Sequence, residues 1–246
     1  MAVQNLVLIH GWASDKRIWQ KTENCLAQKN RVDTLDLPSM QHRYSYRDAV
    51  LELIEEKGLD QVILAGWSMG ALVALQAALE LPQIIQGLIL ISGTGKFVSD
   101  TQYPGGIPAI PIIRMKKRLN KNAEQTFKDF YKLMFSDREQ MEGLAEKVIT
   151  SHLEHGRTWD ISDAQAGLDF LLEVDLRSEL EGITCPTLLL HGKQDEICPL
   201  AGAVFIQQQM PCARLISYPG VGHIPFLTNP EDFQRDLEGW LTVYGK

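Results

Sequence analysis

Six short runs along the chain are apolar almost throughout: Asn5–His10, Val32–Leu37, Val62–Gly66, Gly87–Ser92, Thr187–Gly192 and Arg214–Tyr218. An unbroken apolar run of strand length suits a strand covered on both faces, as in a parallel sheet packed between helices. Between these runs the apolar positions recur at helical spacing. The pattern therefore predicts repeated strand–helix–strand units and an α/β, mostly parallel doubly wound sheet of about six strands. No internal repeat or low-complexity tract interrupts it.

One connection is out of scale. About ninety residues separate Ser92 from Thr187, where a short loop and a single helix would serve. The stretch opens on Tyr103-Pro104-Gly105-Gly106-Ile107-Pro108, rich in breakers, and then reads as several helices. We expect a helical cap over residues 98–166, inserted after the fourth strand and hinged at Gly105-Gly106, on a core of residues 1–97 and 167–246.

The pentapeptide Gly66-Trp67-Ser68-Met69-Gly70 joins the third strand to a helix-like run, Ala71-Leu72-Val73-Ala74-Leu75. So tight a strand-to-helix turn strains its central residue and leaves no room for side chains at the flanking small positions. It presents the Ser68 hydroxyl at the sheet's C-terminal edge with a helix N-terminus behind it, a setting for a nucleophile.

Ligands of a doubly wound sheet bind beyond the C-terminal ends of its strands, so partners for Ser68 are sought there. The first strand runs into His10-Gly11-Trp12, where Gly11 permits a close approach. The Trp12 and Met69 main-chain N–H groups can then converge on one oxygen. The fifth strand runs out into Lys193-Gln194-Asp195-Glu196, with Asp195 the first carboxylate past the turn. The last leads through Pro219-Gly220-Val221-Gly222 to His223. Ser68, Asp195 and His223 thus lie past three strand ends in the order of an α/β-hydrolase triad. His191 reads as a structural residue at a strand end, His10 as either pocket-lining or structural, and His42, His152 and His155 as solvated. Serine rather than aspartate at the elbow argues against dehalogenase and epoxide-hydrolase chemistry. Metal-ligand spacings and a dinucleotide fingerprint are absent, so no metal or cofactor is expected.

In the cap, Arg114, Lys117, Arg118 and Lys121 share one helical face, opposite Ile112, Met115 and Leu119. This is either a solvated face or a docking surface for an acidic partner. Phe127, Phe130, Tyr131 and Met134 follow at the same spacing, as core or as the roof of an apolar acyl-chain tunnel.

The net charge of −7 gives nucleic acid or an anionic membrane nothing to bind. Cys25, Cys185, Cys198 and Cys212 show no CxxC or zinc spacing and read as reduced thiols. With no leader and no membrane-length apolar run, the reading is a soluble, cytoplasmic monomer.

The chain resembles the α/β-hydrolases and, more narrowly, the pimeloyl-acyl-carrier-protein methyl ester esterases of biotin synthesis. The resemblance lies in Leu6-Val7-Leu8-Ile9-His10-Gly11-Trp12, the Ser68 pentapeptide, Val174-Asp175-Leu176-Arg177, the stretch from Gly220 to Phe226, and Asn229-Pro230. It implies a serine carboxylesterase that frees the distal carboxylate of a pimeloyl chain on acyl-carrier protein. Ser68 would be the nucleophile, His223 the general base and then acid, Asp195 its orienter, and Trp12 and Met69 the oxyanion donors. Trp67 and Phe130 would join the substrate-binding residues, and the basic cap face would dock the carrier protein. The chain starts directly at the strand before His10-Gly11, so a sheet of about six strands without the family's usual N-terminal hairpin is expected. A general short-chain carboxylesterase, a menaquinone-type lyase or a C–C bond hydrolase would use the same triad. A non-catalytic receptor on this fold would not need it.

Overall fold

The computed structural model describes residues 3–38, 45–153 and 160–244. His42, His155 and the side chain of His152 lie outside them. All six apolar runs form strands: β1 (Asn5–Ile9), β2 (Arg31–Leu35), β3 (Val62–Trp67), β4 (Ile85–Ile91), β5 (Thr187–Gly192) and β6 (Ala213–Tyr218). They make one sheet in the order β2-β1-β3-β4-β5-β6, parallel throughout. Every residue of β3 and β5 is buried, whereas the edge strands β2 and β6 are half-covered and carry Arg31, Asp33 and Arg214. Unbroken hydrophobicity therefore marks the centre of the sheet, and interrupted runs its edges.

The strand order reverses direction between β1 and β3, and Ile9 lies opposite Gly66 in their register. That puts the loop after β1 beside the turn after β3, at the crevice where doubly wound sheets bind ligands.

Helices α1 (Gln20–Leu26), α2 (Tyr46–Glu56) and α3 (Met69–Glu80) follow the first three strands. Ser45 and Asp48 close a capping box at the start of α2. Helix α3 is apolar on nearly all sides and almost wholly buried, as a helix packed on β1, β3 and β4 must be.

The long connection is helical. It holds α4 (Ala109–Leu119), α5 (Ala123–Leu133), α6 (Asp137–Met141), α7 (Leu144–Val148), a π-helical turn (Ile149–Leu153) and α8 (Ile161–Glu173), all between β4 and β5. Helix α8 runs unbroken past residue 167 and packs along α4. The chain then passes α9 (Leu200–Gln209), α10 (Pro225–Thr228) and α11 (Pro230–Tyr244). No helix of the described residues is long and apolar enough to cross a membrane.

Where the cap leaves and rejoins the core, four charges form a clasp. Lys96 reaches Asp100 at 2.6 Å and Asp175 at 3.1 Å, and Arg177 reaches Asp175 at 2.7 Å and Asp100 at 3.0 Å. The Arg177 guanidinium also lies 5.0 Å over the Tyr103 ring. Its hydrogen bonds hold the Asp175 carboxyl well below the usual carboxylate range. A Cβ on Gly106 would come within 2.5 Å of the Phe97 carbonyl oxygen, so the packing here has room only for glycine.

Candidate active site

Ser68 sits between β3 and α3 at φ 56°, ψ −117°, a conformation L-residues avoid. The strain comes from the turn closing on itself. A Cβ at Gly66 would lie 2.2 Å from the Gly70 carbonyl oxygen, and one at Gly70 would lie 2.4 Å from that of Ile9. Only glycine fits at either place. The Ser68 side chain makes no capping bond to α3, so its hydroxyl is not spent on the helix.

The contact of Gly70 with the end of β1 also brings up the next loop. His10 is fully buried, donates from Nδ1 to the Gly11 carbonyl at 2.8 Å, and accepts the Leu37 N–H on Nε2 at 3.0 Å. It is a brace between two strand ends. Past it, Gly11 comes close enough that a Cβ there would lie 3.1 Å from Ser68 Cβ. The Trp12 indole is held by a 2.8 Å bond from Nε1 to the Ala164 carbonyl on α8. Trp12 follows Gly11 and Met69 opens α3 directly after Ser68, and neither main-chain N–H has a hydrogen-bond acceptor among the described residues.

Asp195 and His223 meet in a fully buried pair, Nδ1 donating to Oδ2 at 2.7 Å. The other carboxylate oxygen accepts the Ile197 and Cys198 amides, each at 2.9 Å. Burial alone would raise the Asp195 carboxyl, but His223, His191 and the Cys198 amide outweigh it and hold it below its usual range. With Nδ1 committed to Asp195, His223 Nε2 keeps a free lone pair, buried and without a partner among the described residues. The structure thus gathers Ser68, Asp195 and His223, with Trp12 and Met69, at one end of the sheet. Such a constellation can attack a carbonyl, carry the proton and stabilise the oxyanion.

The cap roofs this end. Phe130 meets the Trp12 ring edge-on at 4.6 Å and Phe127 lies at 5.7 Å from it. Tyr131 donates its hydroxyl to the Ala13 carbonyl at 3.0 Å. Trp67, expected among the substrate-binding residues, is fully buried; its Nε1 donates to the His223 carbonyl at 2.9 Å, and its ring packs on Phe226. The same ring lies against the Gly11 turn, where a Cβ would meet Trp67 Cε3 at 3.1 Å, so it braces both the histidine and that loop.

Arg114, Lys117 and Arg118 lie exposed on α4, and Lys121 follows in the turn beyond the helix end at Leu119. Arg118 is ion-paired with Asp129 on α5, while no ion-pair partner is found for Arg114, Lys117 or Lys121 among the described residues.

Sequence reasoning passed over three neighbours of the site. His191 contacts Asp195, and Glu139 of α6 reaches the histidine loop. The Cys198 thiol lies against the Ser68 hydroxyl and is pushed well above the usual cysteine range by burial, so it stays protonated. The four-residue spacing of His191 and Asp195 across a strand end was the one available signal. No group of three or more His, Cys, Asp or Glu side chains among the described residues is placed to hold a metal ion.

Comparison with known proteins bears on the family and the fold. Residues 6–235 match the model of the alpha/beta hydrolase family. A pimeloyl-[acyl-carrier protein] methyl ester esterase of Nitrosomonas europaea is 34% identical over 93% of this chain and 92% of its own. One of Nitrosospira multiformis is 31% identical over 95% and 92%. Among solved structures, an esterase from Exiguobacterium antarcticum superposes with a TM-score of 0.84 at 23% identity, over 98% of this chain and 92% of that one. The six parallel strands, the helices between β4 and β5 and the match from Leu6 to Arg235 lead to one assignment: the chain belongs to the alpha/beta hydrolase family.

Proposed function

We propose that this protein is a serine carboxylesterase that hydrolyses the methyl ester of a pimeloyl chain carried on acyl-carrier protein, a step of biotin synthesis. The observation that carries the chemistry is the buried Asp195–His223 pair, its Nε2 left without a partner among the described residues, on the sheet end that also carries the strained Ser68. The substrate follows from relatives of that name that align over nearly the whole chain.

Ser68 Oγ attacks the ester carbonyl as its proton passes to His223 Nε2, while Asp195 holds the imidazole and stabilises its cation. The carbonyl oxygen, now an oxyanion, accepts the Trp12 and Met69 amides. Preorganised donors of this kind are worth about 3–4 kcal/mol each. The ester C–O bond then breaks, and methanol leaves with the proton from His223. Water, deprotonated by the same nitrogen, releases the free carboxylate and restores Ser68. Trp12 and Phe130 line the approach for the acyl chain. Arg114, Lys117 and Lys121, with Arg118 beside them, offer the cations for an acidic carrier protein, and exposed Ile110 and Ile113 add apolar contact.

A serine-directed fluorophosphonate tests the chemistry. It should label the protein, and Ser68→Ala should end labelling; a labelled variant would remove the nucleophile assignment. Reversing Arg114 and Lys117 to Glu tests the substrate. Activity on the carrier-bound methyl ester should fall at least about 10-fold more than on p-nitrophenyl butyrate, through lost charge complementarity. Equal losses on both, with failure to rescue a biotin-requiring esterase mutant, would instead favour a general short-chain carboxylesterase.

A further inference from the structure

The cap segment Met134–Glu139 grips the main chain of the loop that carries His223. The His223 N–H donates to the Met134 carbonyl at 2.7 Å. The Ser136 hydroxyl donates to the Gly220 carbonyl at 2.8 Å. Glu139 Oε2 accepts the Gly222 N–H at 3.0 Å while it also accepts the Ser136 N–H at 2.8 Å. Three of the six residues between β6 and α10, Gly220, Gly222 and His223, are therefore fastened to the cap. On the core side the same loop is held by Gln194, whose side chain accepts the Gly220 N–H at 2.6 Å.

Glu139 is not an ordinary capping residue. The third position of a capping box asks only for one acceptor, which Glu or Gln supplies from the surface. Here the residue is 3% exposed, and its Oε1 has no partner among the described residues. Burying a carboxylate with one oxygen unpaired costs stability that a helix of five residues does not recover. What the burial does achieve is the bond to Gly222, next to the imidazole. At the other end of the same cap stretch, Tyr131 ties the loop of Trp12 and Ala13.

We infer that Glu139 is a positioning residue for His223, and that through Glu139, Ser136 and Tyr131 the cap fixes both loops that complete the site. Seating of the cap and alignment of the imidazole are then one event. The inference rests on the reading of His223 as the base.

Steady-state kinetics on p-nitrophenyl butyrate, with the full chain, test it. Glu139→Ala should lower kcat about 10- to 100-fold with KM changed less than about 2-fold, the pattern of a displaced base. Glu139→Gln keeps an acceptor for Gly222 and should stay within about 3-fold of the wild-type kcat. Ser45→Ala, which breaks the equivalent capping box of α2 and removes no bond to the His223 loop, should lower Tm without changing kcat. If Glu139→Ala does not fold, Ser136→Ala should still lose kcat, about 3- to 10-fold, at constant KM. Wild-type kcat in Glu139→Ala or Ser136→Ala, or a Gln variant as slow as Ala, would overturn the inference. His223→Ala separates the two readings: if it keeps its activity, the base assignment fails and the inference falls with it. If it is inactive while Glu139→Ala is not, only the positioning role is lost.

Discussion

His191 and His223 converge on one oxygen of Asp195, His223 Nδ1 at 2.7 Å and His191 Nε2 at 3.4 Å from Oδ2. The Cys198 carbonyl lies 2.7 Å from the same His191 nitrogen and can only accept, so the proton is on Nε2. His191 Nδ1 is left bare, buried and without a partner among the described residues. Burial holds His191 below the usual imidazole range, against the pull of Asp195.

That neutrality makes stability depend on pH. The unfolded imidazole titrates near about 6.5, and the folded one only at lower pH. Between the two values the unfolded chain binds more protons, so stability is fully present above about 6.5 and drains away below it. The loss from one group is at most about 1.4 kcal/mol per pH unit. His191→Gln keeps an N–H for Cys198 but does not titrate. Urea melts at about pH 7.5 and about pH 5.5 should show wild type losing ground to the variant at the lower pH. A difference that stays constant would mean that His191 titrates alike in both states.

Gly167 seats Trp12. A Cβ there would lie 2.5 Å from Trp12 Cδ1 and 3.0 Å from Nε1, so Gly167→Ala must push the indole off α8. Trp12 carries one of the two proposed oxyanion amides. We expect kcat/KM on a p-nitrophenyl ester to fall about 10- to 100-fold, or about 1.4–2.7 kcal/mol. The melting temperature should move only as far as about 1–3 kcal/mol of overpacking allows. Unchanged kinetics would show that the indole's place does not matter.

The elbow glycines and a helical glycine should respond oppositely to the same substitution. Gly66→Ala drives a methyl into the Gly70 backbone and should cost about 3 kcal/mol or more, with loss of fluorophosphonate labelling. Gly239, exposed within α11, has nothing within 4 Å of its Cβ position. Gly239→Ala should therefore stabilise by about 0.5–1 kcal/mol through helix propensity. Thermal melts of the pair decide it, and a tolerated Gly66→Ala would contradict the closed turn.

Arg177→Ala should loosen the clasp at the base of the cap. It removes bonds to Asp175 and Asp100 and the contact over Tyr103, leaving Lys96 between two carboxylates. The groups are partly exposed, so we expect a loss of about 1–2 kcal/mol, or about 2–8 °C in Tm. Part of that difference should vanish in about 1 M salt. Calorimetry showing no change in either condition would reduce the clasp to decoration.

How much could be read in advance follows from the range of each interaction. The strands and the Ser68 elbow were legible because burial on both faces and a closed turn act on neighbouring residues. The basic face of α4 was legible as a pattern, but not the pairing of Arg118 with Asp129, which needs the next helix folded against it. Ser136 and Glu139 close a capping box within four residues, but the Glu139 bond to Gly222 spans 83 positions. Trp67 adjoins the serine in sequence, yet its indole bonds to the His223 carbonyl.

By itself the sequence determined the parallel α/β sheet, its inserted helices and the strand ends at which Ser68, Asp195 and His223 stand, because short-range sterics and hydrophobic burial are written into consecutive residues. Only the tertiary structure decided which groups share a carboxylate, which cations are already neutralised, and that the cap holds the histidine loop. Hydrogen bonds and charge pairing depend on distances of a few ångströms between residues far apart in the chain, and those distances exist only once it has closed on itself.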